Sequence, residues 1–167
     1  MKSHRSFEDA YNSRHGEYED KLEGLKRRSI DFANSQTPTK GMEQLLNDLR
    51  QTGCIVYLFS NIGGIVLDDL KLKFDTIFQH FHGFHTPSQD NNYAKKPQPE
   101  SFRAFMDSYN SDGNLSVVFF DDKVKNIEEA NKNGFIGRHF TTADDARQFL
   151  TQLGIFDTTR EDTVTED

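Results

Sequence analysis

The sequence predicts an α/β fold in which helices cover both faces of a parallel sheet. Two apolar runs of strand length, residues 54–59 and 115–120, show no alternation of apolar and polar residues. Such continuous runs are typical of strands that are buried on both faces of a parallel sheet. Amphipathic stretches with helical spacing separate these runs, and strands that alternate with helices imply right-handed crossovers between parallel strands.

The predicted elements follow one another in a regular order along the chain. Residues 1–37 are weakly amphipathic and form one or two helices, and the next helix, from Met42, ends before Gly53. Glycine is common just past a helix C-terminus, and proline is tolerated in a first helical turn, as at Pro99. After the strand over 54–59 we expect a helix over 65–74, a strand over 83–86, a polar loop over 87–95, a helix over 99–109, a strand over 115–120, a helix over 126–133, a strand over 135–140 and a helix over 143–153.

Charge and composition exclude several classes of protein. The 167 residues carry 20 Lys and Arg against 27 Asp and Glu, a formal net charge of −7. This balance argues against nucleic-acid binding through a basic surface and against a polybasic membrane anchor. No apolar stretch approaches the ~18 residues of a membrane span. The single cysteine, Cys54, cannot form an internal disulfide, which predicts a reducing, cytoplasmic location.

We divide the chain into three parts. Residues 1–37 form an N-terminal helical segment, and residues 38–155 form the α/β core. Residues 156–167 are acidic and rich in threonine, which predicts a disordered tail.

Polar residues directly after the apolar runs are the best candidates for a functional site. In an open α/β sheet, ligands bind outside the carboxyl ends of the strands. Ser60 and Asn61 follow the first run, Asp121 and Asp122 follow the second, and Lys96 lies between them beside two prolines. Adjacent carboxylates repel each other, and a bound cation relieves that repulsion. Hydroxyl and ammonium donors suit a phosphate-type dianion, so we predict an anion site with Mg²⁺ at this edge.

Other polar residues have simpler explanations. Lys95 is expected to be solvated, and Ser60 and Asn61 would serve equally well to end a strand and cap a helix. His80, His82 and His85 are zinc-type ligands, but their spacing straddles a helix end and a strand start. That spacing does not favour a common metal-binding face.

Three segments in this order resemble motifs of the haloacid dehalogenase-like (HAD) hydrolase superfamily. Residues 58–61 (LFSN) resemble the second motif, whose Ser or Thr binds the transferred phosphoryl group. Lys96, in KPQPESF, resembles the lysine of the third motif, which steadies the charge on nucleophile and phosphate. Residues 117–122 (VVFFDD), followed by Asn126, resemble the fourth motif, whose acidic pair holds Mg²⁺.

The resemblance covers residues 38 to about 154 and has definite implications. It implies a Rossmann-like parallel sheet and a Mg²⁺-dependent hydrolase that acts on a small phosphomonoester through a phospho-aspartyl intermediate. The catalytic residues would be Ser60, Asn61 and Lys96. The metal ligands would be Asp121, Asp122 and Asn126.

The first motif of the family has no clear counterpart in the sequence. That motif is an Asp nucleophile at the end of a hydrophobic strand at the centre of the sheet, and residues 1–53 contain no apolar strand ending in Asp-x-Asp. The nearest candidate is Asp31, which follows a basic stretch and would serve if residues 29–33 formed the missing central strand. In the alternative hypothesis, residues 7–35 are the last helices of a family-type cap, and the sheet lacks its central first strand.

Three functions are consistent with a member of this family whose first motif is not found in the sequence. The first is an active phosphatase-type hydrolase. The second, which we favour, is a truncated or catalytically degenerate relative that binds Mg²⁺ weakly or a small phosphorylated molecule. The third is a non-catalytic interaction module whose sheet is completed by another chain or by self-association, because a missing central strand leaves unpaired edges.

Overall fold

The computed structural model describes the backbone of residues 7–157 and the side chains from residue 18 onward. These residues form helices and short strands in an alternating order, with a single 3-10 turn at Gln89–Asn91. The elements are α1 (Phe7–Ser35), α2 (Met42–Gln51), β1 (Tyr57–Phe59), α3 (Gly64–Lys73), α4 (Asp75–Phe78), β2 (Gly83–His85), α5 (Pro99–Tyr109), β3 (Val118–Asp121), α6 (Val124–Lys132), β4 (Ile136–His139) and α7 (Ala143–Gln152).

The predicted order of elements is confirmed, with differences in length. The N-terminal segment is one helix of 29 residues. Helix α4 and the 3-10 turn lie in segments where the sequence predicted no helix. The strands are shorter than the apolar runs, because pairing with a neighbouring strand begins only at Tyr57 and Val118. Residues 158–167 of the predicted tail lie outside the described residues, whereas Phe156 packs against a hydrophobic cluster of the core.

All four strands pair in parallel, as predicted, but they form two separate sheets. In one sheet β1 pairs with β2, and Tyr57 lies opposite Gly83. In the other β3 pairs with β4, and Val118 lies opposite Ile136. No described strand forms hydrogen bonds with both β1 and β3, so the ladder is interrupted between them.

The hydrophobic core shows that the two strand pairs belong to one layer. Phe119 of β3 points into a cluster formed with α5 and α6, against which Tyr57 and Phe59 of β1 also pack. Val118 and Phe120 point the other way, into a second cluster formed mainly by α2 and α7. Successive side chains of a strand point to opposite faces, so helices cover both faces of β3. The α/β architecture is therefore that of a single layer between two helical layers.

Helix α1 packs along α3. The Ser29 hydroxyl donates to Asp69 Oδ2 at 2.6 Å, and Lys73 Nζ donates to the Ala33 carbonyl at 2.9 Å. Both contacts join residues 40 positions apart, so the two helices run in the same direction. The part of α1 before Gly24 consequently continues past the first residue of α3, toward the carboxyl end of β1. This location fits the hypothesis of a cap remnant, which stays a prediction.

Among residues 7–157, no helix combines the length and the apolar character that a membrane span requires.

Candidate functional site

The carboxyl ends of β1 and β3 meet at the side chain of Lys96. Its Nζ donates to the carbonyl oxygen of Phe59, the last residue of β1, at 2.6 Å. The same ammonium donates to Oδ2 of Asp121, the last residue of β3, at 2.6 Å. The side chains of this ion pair are only 8% and 6% exposed, and the ammonium lies 4.9 Å from the Phe59 ring centroid. Lys96 therefore connects the two sheets at the carboxyl ends of their strands, the edge at which the sequence predicts the site.

Asp121 is the most extensively hydrogen-bonded carboxylate of the site. Besides the bond from Lys96, its Oδ1 accepts from the Lys123 backbone N–H at 2.9 Å and from Asn126 Nδ2 at 2.8 Å. Burial raises the pKa of the Asp121 carboxyl, but these bonds outweigh burial and hold the pKa below its ordinary value. Asp121 is therefore ionised at neutral pH and neutralises Lys96.

Asn61 holds the segment that carries Lys96. Asn61 Nδ2 donates to the Lys96 carbonyl at 2.8 Å, and the Lys96 backbone N–H donates to Asn61 Oδ1 at 2.8 Å. On the other side, the Lys95 backbone N–H donates to Gln98 Oε1. The side chain of Asn61 thus contacts backbone atoms of Lys96, which makes it a positioning residue for the ammonium.

Ser60 and the start of α3 present hydrogen-bond donors at the same edge. Ser60 directly follows β1, and its Oγ accepts from the Ile62 backbone N–H at 3.3 Å, which leaves the hydroxyl proton free to donate. Helix α3 begins at Gly64 without a side-chain cap, so its first N–H groups keep their hydrogen-bonding capacity. A Cβ at Gly63 or Gly64 would meet nothing within 4 Å. This open helix N-terminus favours an anion.

Asp122 and Asn126 supply the remaining oxygen donors of the predicted metal site. Asp122 is exposed, and its backbone carbonyl lies 3.0 Å from His139 Nε2. Asn126 is 2% exposed, and its Oδ1 is buried without a hydrogen-bond partner in the described part of the chain. Carboxylate and amide oxygens are the donors that Mg²⁺ prefers, so the chemistry of this set fits the ion. Residues 18–157 contain no group of three His, Cys, Asp or Glu side chains that could hold a metal.

Asp31 does not lie at the end of a strand. It is an exposed residue of α1, which is helical throughout residues 29–33. The hypothesis that these residues form the central strand is therefore wrong. The hydrogen-bond partners of the Lys96 ammonium are Phe59 and Asp121, and Asp31 is not among them.

His85 is a member of the site that the sequence did not assign to it. It is 6% exposed at the end of β2, its Nε2 lies 3.2 Å from the Ser101 carbonyl, and its ring packs edge-on against Phe59. Burial lowers the pKa of His85, the bond to Ser101 opposes this, and the charge of Lys96 lowers the pKa further. The sequence signal for this role was the location of His85 near the end of the predicted strand over 83–86.

The lowered pKa of His85 predicts a pH-dependent stability. The unfolded chain takes up a proton at about pH 6.5, whereas the folded chain resists protonation until a lower pH. The free energy of unfolding should therefore fall as the pH drops below about 6.5. We expect the urea midpoint of the wild type to decrease from pH 7.5 to 5.5, and we expect His85→Gln to reduce that decrease. His80→Gln is the matched control; an equal pH dependence in wild type and His85→Gln would contradict the prediction.

Together the fold and site define an α/β protein with a polar site at the carboxyl ends of its parallel strands. A family model described as a haloacid dehalogenase-like hydrolase matches residues 2–134, and the chain belongs to this family. The matched span includes Ser60, Lys96 and Asp121. No curated protein and no solved structure matches the chain.

Proposed function

We propose that this HAD-like hydrolase domain is of the Mg²⁺-dependent phosphomonoesterase type and is catalytically degenerate. It binds a phosphate group without turning over an ester. The observation that carries the proposal is the buried pair between Lys96 and Asp121. Among the side chains of residues 18–157, no second carboxylate bonds to the Lys96 ammonium. The groups that stabilise charge are present, and within residues 18–157 no further carboxylate contacts the ammonium to serve as a nucleophile.

Phosphate binding is supported by three kinds of donor at the same edge. Lys96 has three N–H donors, of which two bond to Phe59 and Asp121, so one is left for a ligand. Ser60 can donate its hydroxyl proton, and the first turn of α3 offers backbone N–H groups. Because Asp121 already neutralises Lys96, we expect the affinity for a dianion to be modest.

Mg²⁺ would be held by Asp121, Asp122 and Asn126. When bound, the ion would supply the positive charge that offsets repulsion between these carboxylates and a phosphate. Asn126 Nδ2 fixes the Asp121 carboxylate, while Asn126 Oδ1 has no competing partner in the described residues. Lys96 and Lys123 occupy other lone pairs of Asp121, which supports weak binding.

Turnover would require a nucleophile aimed at phosphorus. The Asp121 carboxylate is engaged by Lys96, Lys123 and Asn126, and Asp31 lies exposed on α1. Nucleophile and charge-stabilising groups act as a unit, so their separate effects on rate are far from additive. Without the nucleophile we expect at most a residual rate.

The expected result is binding without turnover. Calorimetric titration with inorganic phosphate should show binding to the wild type, strengthened by Mg²⁺. Ser60→Ala should weaken phosphate binding about tenfold or more, because a hydrogen bond to a charged group contributes about 1.5–3 kcal/mol. Asp122→Asn should lose the gain from Mg²⁺. With p-nitrophenyl phosphate and Mg²⁺, the wild type should give no turnover above background.

Matched variants make the outcomes distinguishable. Lys95→Met removes an exposed lysine next to Lys96, and it should bind phosphate like the wild type. No phosphate binding by the wild type would overturn the binding half of the proposal. Turnover that disappears in both Asp31→Asn and Asp122→Asn would show an active enzyme with Asp31 as nucleophile. Turnover that survives Asp31→Asn and is lost in Asp122→Asn would show an active enzyme with another nucleophile.

A further inference from the structure

Lys123 is an exposed lysine next to the buried pair of Lys96 and Asp121. It directly follows Asp122 and is the N-cap residue of α6. Its backbone N–H donates to Asp121 Oδ1 at 2.9 Å, while Oδ2 of the same carboxylate accepts from Lys96 Nζ at 2.6 Å. A single carboxylate group therefore separates the Lys123 backbone from the Lys96 ammonium.

This anchored backbone brings the charge of Lys123 within reach of the phosphate donors. A lysine carries its charge at the end of a flexible four-carbon stem, so the ammonium can move while the backbone stays fixed. Lys96 keeps one N–H donor for a ligand after its bonds to Phe59 and Asp121. A phosphate bound to that donor would lie at the end of β3, where the chain continues into Lys123.

The charge of Lys123 acts on Lys96. Burial lowers the pKa of Lys96, the hydrogen bond and charge of Asp121 and the charge of Asp122 raise it, and the charge of Lys123 lowers it further. Because the repulsion between like charges falls with distance, the two ammonium groups lie near each other. The same field would act on an anion bound to Lys96.

The Lys123 ammonium has no protein partner that would compete with a ligand. Among residues 18–157 it takes part in none of the ion pairs, and the hydrogen bonds of Lys123 are made by its backbone. Lys96, in contrast, is already neutralised by Asp121. Lys123 therefore offers a ligand a positive charge that the Lys96–Asp121 pair does not.

Asp122 makes the position of this charge significant. Asp122 is exposed, and in the metal-free chain its carboxylate would repel a bound phosphate dianion. Lys123 is the next residue, and its charge has the opposite sign. The two exposed charges offset each other, whereas without Lys123 the Asp122 carboxylate would have no adjacent counter-charge.

We propose that Lys123 is a ligand-binding residue of the phosphate site and that its ammonium contacts the bound dianion in the metal-free chain. This inference rests on the phosphate binding proposed above. It adds a residue that the spacing of the sequence motifs did not single out, and it assigns to that residue the positive charge that the neutralised Lys96 lacks.

Calorimetric titration with inorganic phosphate in the presence of EDTA tests this role. Lys123→Gln removes the charge and keeps the backbone N–H that bonds to Asp121. At low ionic strength it should raise the Kd for phosphate about fivefold, the effect of one unit charge at contact distance in water. Lys123→Arg keeps the charge and should stay within about twofold of the wild type.

Lys125→Gln is the matched control. Lys125 is an exposed lysine of the same helix, and residues two positions apart in a helix do not share a face. The substitution makes the same change in net charge, and it should leave the Kd for phosphate within about twofold of the wild type. At about 1 M salt, where the Debye length is about 3 Å, the difference between the wild type and Lys123→Gln should shrink.

Four results would overturn the inference. An equal Kd for the wild type and Lys123→Gln, with Ser60→Ala still weakening phosphate binding, would leave the proposed function standing and show that Lys123 is only a solvated lysine. Equal losses in Lys123→Gln and Lys125→Gln would show an effect of net charge alone. A loss shared by Lys123→Arg would show that the charge is not what the site requires. No phosphate binding by the wild type would overturn the proposed binding and this inference together.

Discussion

Asp121→Asn should lower the free energy of unfolding by about 3–5 kcal/mol, because it leaves the Lys96 ammonium buried without a counter-charge. In the wild type, Lys96 Nζ and Asp121 Oδ2 lie 2.6 Å apart, and the two side chains are 8% and 6% exposed. The amide that replaces the carboxylate can still accept a hydrogen bond, but neither it nor the Phe59 carbonyl neutralises the ammonium. The measurement is urea unfolding at pH 7, followed by circular dichroism.

An exposed ion pair of similar length is the matched control. On α5, Arg103 Nη2 and Glu100 Oε1 lie 2.7 Å apart, and their side chains are 58% and 65% exposed. Glu100→Gln should change the free energy of unfolding by less than about 1 kcal/mol, since solvent screens such pairs. The double variant Lys96→Met, Asp121→Leu should recover much of the loss by removing both charges. A cost of Asp121→Asn no larger than that of Glu100→Gln would show that the Lys96–Asp121 pair is solvated.

Phe102→Ala should lower the free energy of unfolding by about 3–5 kcal/mol, the range for deleting a buried aromatic side chain. Phe102 is 0% exposed, and its ring centroid lies 5.3 Å from that of Phe59 and 5.7 Å from that of Phe119. It therefore packs against both β1 and β3, which no backbone hydrogen bond connects. Thermal and urea unfolding measure the loss.

The control for this substitution is an exposed apolar residue. Leu72 of α3 is 82% exposed, and Leu72→Ala should change the free energy of unfolding by less than about 0.5 kcal/mol. If Phe102→Ala cost no more than Leu72→Ala, the cluster around Phe102 would not hold the two strand pairs together.

The sequence predicted those features that neighbouring residues determine. Helix α5 was predicted over 99–109 and spans Pro99–Tyr109, because proline suits a first helical turn and apolar side chains recur along one face. The order of strands and helices, and the location of Ser60, Lys96 and Asp121 at one edge, follow likewise from local pattern. Apolar runs mark buried strands, and polar residues directly after them mark the carboxyl edge.

The tertiary structure decided the partners of those residues. Lys96 bonds to Asp121, while its neighbour Asp122 is exposed, and Asn61 holds the Lys96 backbone. No sequence pattern distinguishes the two adjacent carboxylates. Only the approach of β3 to the Lys96 segment, 25 residues away in the chain, determines which of them is buried.

The division of the sheet was likewise decided by long-range packing. The apolar runs alone predicted parallel strands, but β1 and β3 form no hydrogen bonds with each other. Side-chain packing of Phe59 against Phe119, and the bonds of Lys96 to both strand ends, hold them in one layer. The apolar runs therefore determined which segments become strands, because strand formation here depends on the local pattern of apolar residues. Which edges remain open depends on contacts between segments far apart in the chain, and only the folded structure contains those contacts.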